Sequence, residues 1–406
     1  MKKLLLALLT VGVVGMAAEN GPGTYFVPEA GTANVTSAGL ANAVALVHKT
    51  VAFLGGSITE MHGFRPRVMA LLRAKYPQVA FREIAAGLSS TCSDTGAFRL
   101  EEDLLAHGTP DLFIVEEAAN DEQDGHFDRT RCIRGLEGIV RRVRMVNPAC
   151  AVVVGLMVTK AQYDRLMAGG TPVAYAADAD VAAHYGAAVA DVGRALVASA
   201  RRGGLSWTEY RDCHPSPEGC DFGARVVMDA VDTVFNPLNP ASAQVLPPPM
   251  DAFSYWRGRT VLPSELKLGA DWHVSRPDWA NIPGSKRGYY CRGAAIWSET
   301  PGAILEVPFT GTALGAFLTA GPDAGCVDVS IDGGAWKTFK LRADYLPLHY
   351  PYTHMFADDL PAGPHVVRLR VATTVRQQQT CSAVRIHRLY VNGVDEPAIR
   401  ATVRKE

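Results

Sequence analysis

Ser57 lies in the turn Gly55-Gly56-Ser57-Ile58-Thr59, directly after the apolar run Val51-Ala52-Phe53-Leu54. A serine placed where a buried strand breaks into a turn keeps its hydroxyl exposed, as a nucleophile requires. The triplet alone is equally at home in a turn chosen for backbone freedom, so its meaning depends on its company. That company is Gly87 in Ala85-Ala86-Gly87-Leu88-Ser89, Asn120 in Ala118-Ala119-Asn120-Asp121 and His214 in Asp212-Cys213-His214-Pro215. Ester hydrolysis near neutral pH needs an activated hydroxyl, a base titrating near 7 and donors aimed at the developing oxyanion. Ser57 supplies the hydroxyl and His214 the base, because unperturbed imidazole titrates in that range. A glycine lets the backbone approach a substrate closely. An asparagine amide is a neutral donor that does not compete for the base's proton.

These residues are far apart in sequence, and the elements between them must bring them together. Val51–Leu54, Ala80–Ala85, Asp111–Val115 and Ala151–Val158 read as buried strands, with Ala187–Val192 a weaker fifth. Amphipathic stretches at Arg65–Tyr76, Phe127–Asn147 and Glu218–Phe235 separate or follow them. Near-continuous apolar strands spaced by helices predict a parallel sheet covered on both faces. In such sheets the reacting groups collect beyond the C-terminal strand ends, where Ser57, Gly87 and Asn120 all fall.

In this order the four blocks resemble the SGNH (GDSL-type) hydrolases over roughly residues 48–235. The resemblance implies an α/β fold, a flavodoxin-like three-layer α/β/α domain with a parallel sheet. It also implies Ser57 as nucleophile, His214 as base, and an oxyanion hole of the Ser57 N–H, the Gly87 N–H and the Asn120 amide. It implies no cofactor and no metal. The chain departs from the family at the last block. An aspartate usually stands three residues before the histidine, where this sequence has Arg211. Asp212, two residues before, takes the third triad place if the shorter loop reaches the ring. Otherwise a backbone carbonyl orients His214 in a Ser–His dyad and Asp212 pairs with Arg211.

Several neighbours carry weaker signals. Glu60, His62 and Arg65 either line the pocket or begin a solvated helix; Glu116 and Glu117 read as loop charges. His349-Tyr350-Pro351-Tyr352-Thr353-His354 has two histidines without partners at ligand spacing and reads as a loop. No Cys/His spacing points to zinc.

The 406 residues suffice for two domains. With 40 Lys plus Arg against 41 Asp plus Glu, no global charge steers the chain toward nucleic acid. Lys2-Lys3, the apolar stretch from Leu4 to Met16 and Ala17-Ala18 form a signal-peptide pattern over residues 1–18. A lead-in segment, 19–47, follows. Without a later apolar run of that length, the expected location is secreted or periplasmic, with no membrane partner after cleavage. Export makes disulfides possible for the eight cysteines; a Cys213–Cys220 bridge would pin the His214 loop, but 105 connectivities are open.

The proline-rich segment 236–250 marks a domain boundary. Beyond it, short strands such as Ala303–Phe309, Leu314–Thr319, Val327–Asp332, Trp336–Leu341, His365–Val371 and Val384–Val391 alternate with turn signals. They predict an all-β sandwich over residues 251–406. Its tryptophans, Trp256, Trp272, Trp279, Trp297 and Trp336, are expected mostly in the core. Leu360–Leu369 resembles the jelly-roll module of some carbohydrate esterases, which in one such family precedes the hydrolase. The resulting expectation is an exported serine esterase removing small acyl groups, acetyl foremost, from an acylated poly- or oligosaccharide. Two alternatives stay open: a lipid or thioester acylhydrolase with the same catalytic set, or a carbohydrate-binding protein whose hydrolase domain has decayed. Oligomeric state is left open.

Overall fold

Five strands follow one another along the hydrolase-like part of the sequence: β1 (Val47–Gly55), β2 (Val79–Gly87), β3 (Leu112–Glu116), β4 (Ala151–Gly155) and β5 (Ala188–Ala190). A computed structural model of the protein describes residues 47–395 except 240, 241 and 377. The expected signal peptide and nearly all of the lead-in segment lie outside the described residues, as does the chain beyond 395. The strands form one parallel sheet in the order β2-β1-β3-β4-β5. Every residue of β3 and β4 is buried, as is the second half of β1, which is why these strands read as continuous apolar runs.

Helices α1 (Ser57–Glu60), α2 (Phe64–Lys75), α3 (Ser93–Asp103), α4 (Ala118–Gln123) and α5 (Arg129–Val146) connect the first four strands. α2 packs on the late helix Pro217–Val234, while α3 packs on α5 and α5 on Val173–His184. The chain therefore closes the expected three-layer α/β/α domain. Its strand order reverses direction between β1 and β3. Crossovers leave that point in opposite directions and open a crevice beyond the strand ends. Ser57 follows β1 and Asn120 follows β3, so both flank the crevice.

From Gly258 onward the structure is antiparallel and β-rich. The strand Ile304–Ala320 organises it. Its first half pairs with Gly363–Ala372, its second half with Leu348–Ala357, and Val384–Gly393 runs along its other edge from Gly311 to Leu318. The register shifts between Gly311 and Ala313, where the strand passes from one partner to the next. The two strands expected at Ala303–Phe309 and Leu314–Thr319 are thus one continuous strand. A second correction concerns His349–His354, which forms the middle of the strand Leu348–Ala357 rather than a loop. Its alternation was masked because Tyr350, Pro351 and Tyr352 are all buried. Trp256, Trp272 and Trp279 are core residues, and Trp336 is exposed at 38%.

The two parts share a core. Tyr255, Tyr290, Phe317, Met355 and Tyr390 pack into the same apolar cluster as the five-stranded parallel sheet. Phe98 of α3 stacks on Tyr390, with ring centroids 5.1 Å apart. No helix among the described residues is long and apolar enough to cross a membrane.

Candidate active site

The turn that carries Ser57 is built on two close contacts that only glycine permits. A Cβ on Gly56 would lie 2.3 Å from Asn120 Oδ1, and one on Gly87 would lie 2.2 Å from the Glu60 N. Gly56 therefore lets the turn after β1 meet the asparagine after β3. Ser57 opens the short helix α1, and its Oγ stands 2.7 Å from His214 Nε2 across 157 residues of sequence. That is the separation a nucleophile–base pair requires.

His214 is held by its own loop. Arg211 donates from Nη2 to the His214 carbonyl at 2.8 Å, and Asp212 Oδ1 accepts the His214 backbone N–H at 2.6 Å. Ser216 then caps the helix Pro217–Val234 by accepting from the Gly219 N–H. The ring's other nitrogen, Nδ1, faces Cys213 Sγ at 3.6 Å and Asp212 Oδ1 at 3.9 Å. Asp212 is thus close to the ring but engaged with the main chain, and its distance to Nδ1 exceeds hydrogen-bonding range. Arg211 lies 3.9 Å from Asp212 Oδ2.

Asp212, Cys213 and His214 also form the one group among the described residues with the donor types to hold a cation. A cation on Nδ1 would leave the proton on Nε2, the tautomer unable to accept from Ser57. These three residues therefore suit the orientation of an imidazole base better than metal binding. All eight cysteines are unpaired. The Cys213–Cys220 bridge is absent, with Cys220 Sγ directed to the Pro215 carbonyl instead. Burial and the neighbouring Asp212 push the Cys213 thiol pKa up.

A pocket of about 470 Å³ opens over Ser57 and His214. Asn120 lines it, with Nδ2 donating to Asp124 Oδ2 at 2.7 Å. Gly87 does not line it. A Cβ on this glycine would lie against the main chain of α1 at Thr59 and Glu60. Ser89 and Ser90, two and three residues later, line the pocket instead. Ser90 has φ 61°, a left-handed conformation uncommon for a residue with a Cβ. The Ser89 N–H is committed to Glu60 Oε2 at 2.8 Å. Glu60 thus braces the turn that carries Ser89. Arg65 is buried against Glu83 and the Thr59 carbonyl. Neither Glu60, His62 nor Arg65 borders the pocket.

The two glutamates expected as loop charges are the largest surprise. Glu116 and Glu117 are buried. Glu116 Oε1 accepts from the Thr59 N–H at 3.1 Å and from Thr59 Oγ1 at 2.7 Å, clasping the turn that carries Ser57. Burial raises its pKa from 4.5 to about 7 despite those hydrogen bonds, which pull the other way. A carboxyl with a higher pKa folded than unfolded binds more protons in the folded state between the two values. Its contribution to stability therefore falls as pH rises from about 4.5 to about 7. Glu116→Gln keeps an acceptor for Thr59 and removes the titration. Its Tm relative to the wild type is expected to climb across that window and level off above it. Thermal unfolding in a series of buffers measures this, and a difference independent of pH would refute it.

Two residues of the C-terminal part, Arg287 and Tyr345, complete the pocket wall. Sequence patterning gave no sign of either, because nothing local marks a contact made more than 150 residues away. Ser90, Gln123, Asp124 and Thr159 were missed as well, although Ser90 follows the Gly87 motif and Gln123 and Asp124 follow the Asn120 motif.

Residues 53–222 match the family model described as the GDSL-like Lipase/Acylhydrolase family. A two-domain esterase active on acetylated mannans, co-crystallised with mannopentaose, superposes with a TM-score of 0.68 at 20% identity, covering 86% of this chain and 92% of its own. A second structure of a two-domain esterase active on acetylated mannans gives 0.68 at 20%, covering 85% and 91%. An acetylxylan esterase from Geobacillus stearothermophilus aligns at 18% identity over 47% of this chain and 96% of its own, with a TM-score of 0.37. No curated protein matches the chain. At such identity the two-domain likeness speaks to the fold, and it extends over both parts.

Proposed function

We propose that this ester hydrolase, whose residues 53–222 match the GDSL-like Lipase/Acylhydrolase family model, is an exported enzyme removing acetyl groups from carbohydrate through Ser57 and His214. The observation that carries the reading is the 2.7 Å contact between Ser57 Oγ and His214 Nε2 at the floor of an open pocket. Ser57 attacks the ester carbonyl as His214 Nε2 takes its proton. The imidazolium then protonates the departing sugar oxygen. Water, deprotonated by the same ring, releases acetate from the acyl-serine. The oxyanion meets the Asn120 amide and backbone N–H groups at Ser57 and Ser90. Ser90 replaces Gly87 in this role because it borders the pocket and Gly87 does not.

The lining supports a small acyl group on a polar alcohol. Ser89, Ser90, Asn120, Gln123, Asp124 and Arg287 line the pocket beside Ile58 and Ala119, and these polar groups suit a polar alcohol such as a sugar hydroxyl. The likeness to esterases active on acetylated mannans points to the same chemistry. The amino-terminal pattern Lys2-Lys3 followed by an apolar run supports export.

Acetate release from acetylated mannan, xylan, pectin and sialylated glycans tests the reading, with p-nitrophenyl acetate as control. Release from at least one polysaccharide is expected. Hydrolysis of the control alone would overturn the carbohydrate assignment for those polymers and keep the esterase.

A further inference from the structure

The pocket's two walls are both fastened from the C-terminal part of the chain. On one side, Arg287 Nη1 donates to Ser90 Oγ at 2.8 Å and the Tyr290 hydroxyl donates to the Ser89 carbonyl at 2.8 Å. On the other, the Tyr345 hydroxyl donates to Asp124 Oδ1 at 3.0 Å, and the Arg342 guanidinium donates to the Asp124 carbonyl. The second oxygen of the same carboxylate accepts from Asn120 Nδ2 at 2.7 Å. Asp124 therefore stands between the C-terminal part and the Asn120 side-chain amide.

An asparagine amide rotates over a broad, nearly two-fold torsion, and its two ends are chemically opposite. Turned by half a revolution, Asn120 would present Oδ1 to a developing oxyanion and repel it. A carboxylate only accepts, so Asp124 can bond Nδ2 and not Oδ1, which selects one orientation. Tyr345 occupies the other carboxylate oxygen and fixes the carboxylate itself. Oxyanion donors act by being in place before charge develops, and groups that lock their rotamers determine that placement.

We propose that the β-rich C-terminal domain is a positioning element of the catalytic centre. Through Tyr345 and Asp124 it sets the orientation of the Asn120 amide, and through Arg287 and Tyr290 it fixes the Ser89–Ser90 turn. It therefore contributes to turnover of every ester, including those too small to touch a glycan subsite. The inference rests on the reading of Ser57 and Asn120 as catalytic.

The test uses the full chain and p-nitrophenyl acetate, which carries no sugar. Tyr345 is 47% exposed, so Tyr345→Phe removes one hydroxyl without disturbing the core. It is expected to lower kcat about three- to tenfold with little change in KM or Tm. Asp124→Ala is expected to lower kcat about 10- to 100-fold, the loss typical of a misplaced catalytic group. Asp124→Asn, which keeps an acceptor, should fall between wild type and Asp124→Ala. A double-mutant cycle completes the test. If Tyr345 acts through Asn120, adding Tyr345→Phe to Asn120→Ala costs nothing further, whereas multiplying losses would mean independent action. Unchanged kcat on the small ester, with KM raised only on acetylated glycan, would overturn the proposal and leave the domain a binding surface. Full activity in Ser57→Ala would instead strike the proposed function, so the two failures are distinguishable.

Discussion

Ser57→Ala and His214→Ala are each expected to lower kcat by about 10⁴- to 10⁶-fold, with the double variant no worse than either alone. The non-additivity follows from the 2.7 Å contact. A base without its nucleophile has no proton to take, and a serine without its base stays a neutral hydroxyl. Asp212→Asn is expected to behave differently. In a complete triad, neutralising the third member costs about 10⁴-fold, because the imidazole loses its tautomer. Here the Asp212 carboxylate accepts the His214 backbone N–H at 2.6 Å and stays 3.9 Å from Nδ1. Asparagine at 212 retains an acceptor for that N–H, so the expected loss is about tenfold or less. Steady-state kinetics on p-nitrophenyl acetate, with circular dichroism to confirm folding, measures all three. A loss near 10⁴-fold in Asp212→Asn would mean that the carboxylate swings onto Nδ1 during turnover.

The parallel sheet was legible because β3, β4 and the second half of β1 are buried throughout and so appear as unbroken apolar runs. Ser57, Asn120 and His214 were legible because each follows or precedes an element end, where topology collects reacting groups. Surroundings that the sequence did not announce have identifiable reasons. Gly87 looked like a donor because glycine permits close approach, yet the partner approaching it is the main chain at Glu60. Glu116 looked solvated because a carboxylate after a strand usually is. Buried, it accepts from Thr59, a contact across 57 residues that no local pattern encodes. Tyr345, Arg287 and Asp124 were invisible for the same reason. Their roles depend on how the second domain sits on the first, which neither domain's periodicity contains.

That seating predicts the largest stability effect in the molecule. Arg388, on the strand Val384–Gly393, is buried and reaches Asp103 of α3 with both terminal nitrogens, at 3.3 and 3.2 Å. Asp103 is buried as well and also meets Arg99 Nη1 at 3.3 Å. Removing one member of a buried ion pair leaves charge without compensation, at a cost of about 3–5 kcal/mol. Arg388→Ala is expected to lose that much in urea unfolding, while exposed pairs such as Lys160–Asp164 contribute less than about 1 kcal/mol. Five of the six tryptophans lie beyond residue 250, so fluorescence reports mainly on the β-rich domain, whereas far-UV dichroism follows the helices of the hydrolase domain. With Phe98 stacked on Tyr390 and one apolar cluster spanning both parts, the two signals should change together in the wild type. In Arg388→Ala both midpoints should fall. If only fluorescence shifts, the hydrolase domain is stable by itself and Asp103 retains enough partnership in Arg99 to tolerate the loss. A joint shift means that the domain that orients Asn120 also shares the stability of the sheet beneath it.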